Sequence, residues 1–195
     1  MTTGQELGVG AVFTDERDGF GGRTGAPETD VGGNPGKIRL GIGRCMDDIR
    51  RMHDHIAGGE VFADSAIVVA HRRAKEVIID EKRPTAVPSL IFDDTLTIEL
   101  GGTVLELTYV GKNHSDNSLV MRFPKEKIAF TVDWIPIKAM PFRDFPDGYL
   151  QEWLDSLKKV EAMEFDVMVP GHGPLGTKAD VVAFRGYLEE LRAEV

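Results

Sequence analysis

Apolar and polar residues alternate along "TLTIEL" (95–100) and "TVLELTYV" (103–110), with Gly101-Gly102 between them. Alternation with a period of two turns one face of each strand toward a core. A Gly-Gly pair accepts the positive φ of a tight hairpin, so the pattern predicts strand, turn, strand over 88–111. "NSLVMRFP" and "KIAFTVDW" predict a second strand pair, joined around Pro124-Lys125-Glu126. "SAIVVAH" (65–71) is apolar without alternation, as in a short buried strand, and "HRRAKEVIIDEK" (71–82) continues as a helix. Over 147–163, Leu150, Trp153, Leu154, Leu157 and Val160 recur at helical spacing. "FDVMVPGHG" (165–173) reads as a buried strand running into a glycine loop. Residues 177–195 form a final amphipathic helix, with Thr177 placed to cap it and Asp180 three residues on. Paired strands followed by helices predict an α+β or layered α/β fold.

The first 43 residues break this pattern. They hold 12 of the 22 glycines and only short apolar scraps such as "VGAVF". Each glycine raises the entropy lost on ordering, so the stretch is expected to be loop-rich, with at most one short strand near 9–13. "RCMDDIRR" (44–51) can form a helical turn. The expected division is a glycine-rich, poorly ordered or atypical segment at 1–43 and a folded domain at 44–195.

Composition changes the picture little. A chain of 195 residues with 42% hydrophobic content suits one domain that needs no disulfide scaffold. A net charge of -9 argues against a general nucleic-acid or anionic-membrane binder. The single cysteine, Cys45, excludes an internal disulfide and has no evident role as a nucleophile. No apolar run reaches the ~18 residues of a membrane span, and no apolar signal core stands at the N-terminus. Those two features suggest a cytoplasmic protein.

The chemistry lies in where the histidines fall. Of the five, His53, His55, His71, His114 and His172, three (His55, His114 and His172) sit beside polar or glycine turns next to predicted strands. Asp133 ends the strand "KIAFTV" in the same way. A rigid scaffold presents functional side chains from such loops, and imidazole nitrogen with carboxylate oxygen suits Zn²⁺, or else Fe or Mn. Other residues allow two readings. Asp116 and Asn117 either orient His114 or form a turn. Trp134, Met140, Phe142 and Phe145 either line an apolar substrate pocket or pack against the next helix. Lys138 and Arg143 either hold a substrate anion or form solvated surface. Gly171 and Gly173 allow a tight turn around His172.

Four short motifs, in order, carry a resemblance: "DHIAGG" (54–59), "GKNHSDNS" (111–118), "FTVDW" (130–134) and "VPGHGP" (169–174). Together they resemble the metallo-β-lactamase-fold metallohydrolase superfamily over roughly 52–195, whose pattern is His-x-His-x-Asp-His, a lone His, an Asp and a last His in a glycine loop. The resemblance implies an αββα sandwich with a metal site at one edge. It also implies hydrolysis of an ester-like, thioester, lactone or β-lactam bond in a small molecule by a metal-bound hydroxide. The ligands it implies are Asp54, His55, His114, Asp133 and His172, with Asp54 also placed to orient and deprotonate the water. The chain departs from the pattern where Arg50 and Met52 stand at the first two histidine positions. An arginine cation cannot ligate, and a thioether suits such ions poorly, so one zinc is expected rather than two. A non-catalytic member that binds metal or ligand is the alternative. The family builds strands ahead of its histidine loop, and residues 1–51 show no convincing set of them. The first ~50 residues are therefore expected not to be the family's sequence, as after a frame shift or fusion.

Overall fold

The structure is a computed structural model and describes residues 11–14, 56, 59–63, 66–141 and 148–194. Eight strands and three helices occur in the order β1 (Ala11–Thr14), β2 (Ala66–His71), α1 (Arg72–Asp80), β3 (Leu90–Phe92), β4 (Thr95–Leu100), β5 (Thr103–Thr108), β6 (Val120–Phe123), β7 (Ile128–Val132), α2 (Leu150–Glu161), β8 (Val167–Pro170) and α3 (Lys178–Glu194). They build a three-stranded sheet, β1-β2-β3, and a five-stranded sheet, β4-β5-β6-β7-β8.

The layers result from which faces are apolar. Between the sheets, Val69 and Phe92 of the first pack with Leu105, Leu107, Met121, Phe123, Phe130 and Val132 of the second. On the outer side of the large sheet, Val120, Ala129 and Met168 meet Trp153, Leu154, Leu157 and Val160 of α2 and Val181, Phe184 and Leu188 of α3. On the outer side of the small sheet, Ala70 packs under Ala74, Val77 and Ile78 of α1. The order is helix, sheet, sheet, helices, the αββα sandwich expected from the motifs. Strands β6 and β7 are covered on both faces and so read as near-continuous apolar runs. Edge strand β4 leaves Thr95, Thr97 and Glu99 exposed and so alternates.

The hairpin at Gly101-Gly102 forms, with φ +57° and +80° at the two glycines. The stretch before it is not one strand, as the alternation implied. Leu90–Phe92 pairs parallel with β2 in the small sheet, and the chain turns at Asp93-Asp94 to enter the large one. Side-chain and backbone bonds hold that corner. Arg72 grips the Asp93 carboxylate with bonds of 2.7 and 2.8 Å, and the Tyr109 N–H donates to the Asp94 carbonyl at 2.8 Å. Strand β1, expected near 9–13, pairs antiparallel with β2, Ala11 opposite Val69. At the start of α3, the Asp180 carboxylate accepts from the Thr177 N–H (2.8 Å) and hydroxyl (2.9 Å), as the Thr-x-x-Asp spacing predicts. No described helix is long and apolar enough to cross a membrane.

Candidate metal centre

Strands β7 and β8 run parallel and end together, and just past their ends stand Asp133 and His172. The ladder between the strands slips between Phe130 and Val132. Val132 takes φ +57°, a left-handed conformation that costs a β-branched residue of order 1–3 kcal/mol. Past the slip the ladder resumes, the Gly171 N–H donating to the Val132 carbonyl at 2.9 Å. A bulge bends a strand and re-aims the side chains beyond it. Here it directs Asp133 toward the β8 loop, and His172 Nε2 lies 3.5 Å from Asp133 Oδ1.

The His172 loop is closed at its base. Met168 and Gly176 exchange both backbone bonds at 2.8 Å, and Gly173 turns with φ +88° just after the histidine. A Cβ on Gly176 would lie 2.4 Å from Ile137 Cδ1, so only glycine lets the loop seat against the segment after Asp133. His172 remains open to solvent (67% side-chain exposure) while Asp133 is mostly covered (26%).

His114 lies on the neighbouring loop between β5 and β6. Asn113, Ser115, Asn117 and Ser118 of that loop are buried, and their bonds define its shape. Asn113 Oδ1 accepts from the Ser115 N–H at 3.3 Å and lies 3.1 Å from His114 Nδ1. An amide oxygen has no proton to give, so Nδ1 carries the hydrogen and Nε2 the lone pair, the tautomer suited to a metal. Ser118 Oγ stands 3.4 Å from the same Nδ1. The imidazole also meets Trp153, with centroids 5.9 Å apart. Trp153 Nε1 donates to the Trp134 carbonyl at 2.9 Å, so one residue of α2 touches both the His114 loop and the turn after Asp133.

The donor types suit zinc. A tetrahedral ion with bonds of about 2.0–2.2 Å sets neighbouring donors about 3.3–3.5 Å apart. The separation of His172 Nε2 and Asp133 Oδ1 is of that size. Among the described residues, no group of three His, Cys, Asp or Glu side chains is arranged to hold an ion, so His114 does not close a triad with this pair. Asp54 and His55 lie outside the described residues, as do Arg50, Met52, His53, Cys45, Phe142, Arg143 and Phe145. The Ile56 carbonyl accepts from Thr85 Oγ1 (2.7 Å) and the Gly59 N–H (3.2 Å), which ties Ile56 to the α1–β3 connection.

Several two-way readings resolve in the structure. Trp134 is fully buried in the core, with Nε1 donating to the Leu119 carbonyl at 3.4 Å, so it packs rather than lining a pocket. Met140 is exposed. Lys138 lies 3.9 Å from the Asp180 carboxylate at the surface. Asn117 Nδ2 donates to the Asp116 carboxylate at 3.1 Å, whose other oxygen lies 3.7 Å from Arg73. Asn113 and Ser118 both stand within bonding distance of His114 Nδ1. Sequence reasoning passed over both, although two side chains able to bond an imidazole one and four positions away were a usable signal. His71 is a structural histidine. It caps α1 by accepting from the Arg73 N–H at 3.3 Å, and therefore donates from Nε2 to the Asp93 carbonyl at 2.9 Å. Burial, before any charge, lowers its pKa below the usual histidine value.

The profile of the metallo-beta-lactamase superfamily matches residues 53–172. The 2,4-dinitroanisole O-demethylase subunit alpha of Nocardioides sp. (strain JS1661) is 24% identical over 126 residues, 62% of this chain and 38% of that one. A metallo-beta-lactamase type 2 of Bacteroides fragilis is 27% identical over 127 residues, 64% of this chain and 51% of that one. Among solved structures, the metallo-beta-lactamase from Pontibacter korlensis superposes with a TM-score of 0.61 at 22% identity, covering 70% of this chain and 64% of that one. The chain spans about half or less of the length of the curated relatives it matches, between 38% and 52%. A profile match over more than half of the chain, running through His114 and Asp133 to His172 on a shared layered fold, makes this protein a member of the metallo-beta-lactamase superfamily.

Proposed function

We propose that this chain is a metal-dependent hydrolase of small molecules, with one zinc held by Asp54, His55, Asp133 and His172, and His114 beside it. The observation that carries the reading is the Asp133–His172 pair, set 3.5 Å apart by a bulged, strained strand end. When bound, zinc lowers the pKa of a water to about 7 and so supplies hydroxide as nucleophile at neutral pH. Within that reading, Asp54 orients the water and takes its proton, and His114 is the further nitrogen donor that the family pattern supplies. The exposed imidazole of His172 leaves one side of the site open for a substrate to enter.

The bond cleaved is an ester-like, thioester, lactone or β-lactam bond. The test is turnover by the zinc-loaded full chain of p-nitrophenyl acetate, a thioester, a lactone and a chromogenic cephalosporin. Turnover of any one that disappears in His172→Ala supports the reading; none above the His172→Ala background removes it. Arg50 and Met52 favour a second reading, a member that binds metal or ligand without turnover. Stoichiometric zinc with a silent panel selects it.

A further inference from the structure

Loop 111–118 is anchored at several points, among them the Lys112 carbonyl, which accepts from Ser156 Oγ at 2.9 Å, and one anchor reaches it from outside the candidate centre. On the near side, the Tyr149 N–H donates to the Asn113 carbonyl at 2.8 Å. On the far side, Tyr109 donates from its hydroxyl to the Asp116 carbonyl at 3.0 Å. His114 lies between these two pinned peptides. Tyr109 is itself held firmly. Its ring stacks on His71, with centroids 4.1 Å apart and planes 25° from parallel. The Arg73 guanidinium sits 5.9 Å from the ring centre and 3.7 Å from the Asp116 carboxylate. Burial pushes the phenol pKa up, so it keeps its proton throughout the neutral range. His71, in turn, is fixed by a bond at each ring nitrogen.

We propose that Tyr109 is a positioning residue for His114: its hydroxyl fixes the Asp116 peptide and thereby holds the His114 imidazole with Nε2 presented to a metal. The inference rests on the reading of His114 as part of the metal centre. Partners one step removed from a metal ligand set affinity by roughly 10–100-fold, and Tyr109 acts through backbone, at the lower end of that range. Tyr109→Phe keeps the ring and its stacking and removes only the donor.

The experiment is a cobalt(II) titration of the full chain, monitored by the visible d–d bands, in the wild type, Tyr109→Phe, His114→Ala and the double variant. Thermal melting checks that each is folded. Cobalt affinity should fall about tenfold in Tyr109→Phe, fall in His114→Ala, and show no further loss when the two are combined. Wild-type affinity in Tyr109→Phe overturns the inference, and so does an equal loss in both backgrounds, since the effect then bypasses His114. Wild-type affinity in His114→Ala shows instead that His114 is no ligand, and the inference fails with that reading. Should Tyr109→Phe melt too low, the four titrations are repeated in sucrose, which favours the folded state, and are read by the same outcomes.

Discussion

Single residues decide how closely the loops of the centre approach one another. Gly176 closes the His172 loop against Ile137, and an added Cβ would fall 2.4 Å from Cδ1 and 2.8 Å from Cγ1 of that buried side chain. Gly176→Ala should therefore destabilise the fold by about 1–3 kcal/mol in urea unfolding, and Ile137→Val in the same chain should recover part of the loss. Full additivity of the two changes would show that they do not touch. His71 makes a second prediction, in pH. Its folded-state pKa is lowered by burial and by Arg73, against the raising influence of the Asp93 carbonyl and of the Asp93 and Asp116 charges. The fold thus prefers the neutral ring. The stability due to this preference is complete above the unfolded pKa of about 6.5 and declines as pH falls through it toward the folded value. Replacing His71 by Asn, which can still cap α1, should lower stability at pH 7.5 and flatten its dependence between pH 7.5 and 5. An unchanged slope would assign the dependence to other groups.

Elements were legible where one face alone is buried or a turn residue leaves no choice. Edge strand β4, the Gly101-Gly102 hairpin and the apolar stripe of α2 are all readable from periodicity. The separation of β3 from β4 was not legible, because Leu90–Phe92 and Thr95–Leu100 are both strand-like and only tertiary pairing sends them to different sheets. At the candidate site, the residues proposed to supply the chemistry could be picked out in the sequence, and the devices that aim them could not. His114, Asp133 and His172 stand out beside turns, whereas a positive φ at Val132 has no sequence signal, since valine is among the residues least suited to it. Trp153 shows the same limit. Its helical spacing marks it as core, yet its Nε1–H also satisfies the buried Trp134 carbonyl at 2.9 Å. Trp153→Phe should cost more than its lost volume, by about 1–3 kcal/mol for the carbonyl left without that donor. A Trp153→Phe variant as stable as wild type in chemical denaturation would contradict the role given to this bond in holding the turn after Asp133.

At the scale of the whole molecule, two questions join. One is where the folded unit begins. Of the glycine-rich segment 1–43, the structure describes strand Ala11–Thr14 on β2. A four-residue strand offers few ladder bonds against the entropy of 12 glycines, and we propose a protease-resistant unit that starts near residue 45–60. Limited proteolysis with mass spectrometry reads the boundary directly; an N-terminal stretch as resistant as α3 would move it to the start of the chain. The other question is whether the sandwich carries a metal, and how many. In the proposed reading Arg50 and Met52 stand where two of the family's donors are expected, while Asp133 and His172 stand at the spacing of neighbouring zinc ligands. The most direct measurement is the zinc content per chain, by elemental analysis, of the purified full chain and of its His172→Ala variant. The expected result is close to one zinc per wild-type chain and a large loss on substitution. Two zincs per chain, none, or a content indifferent to His172 would contradict a single zinc centre built on Asp133 and His172.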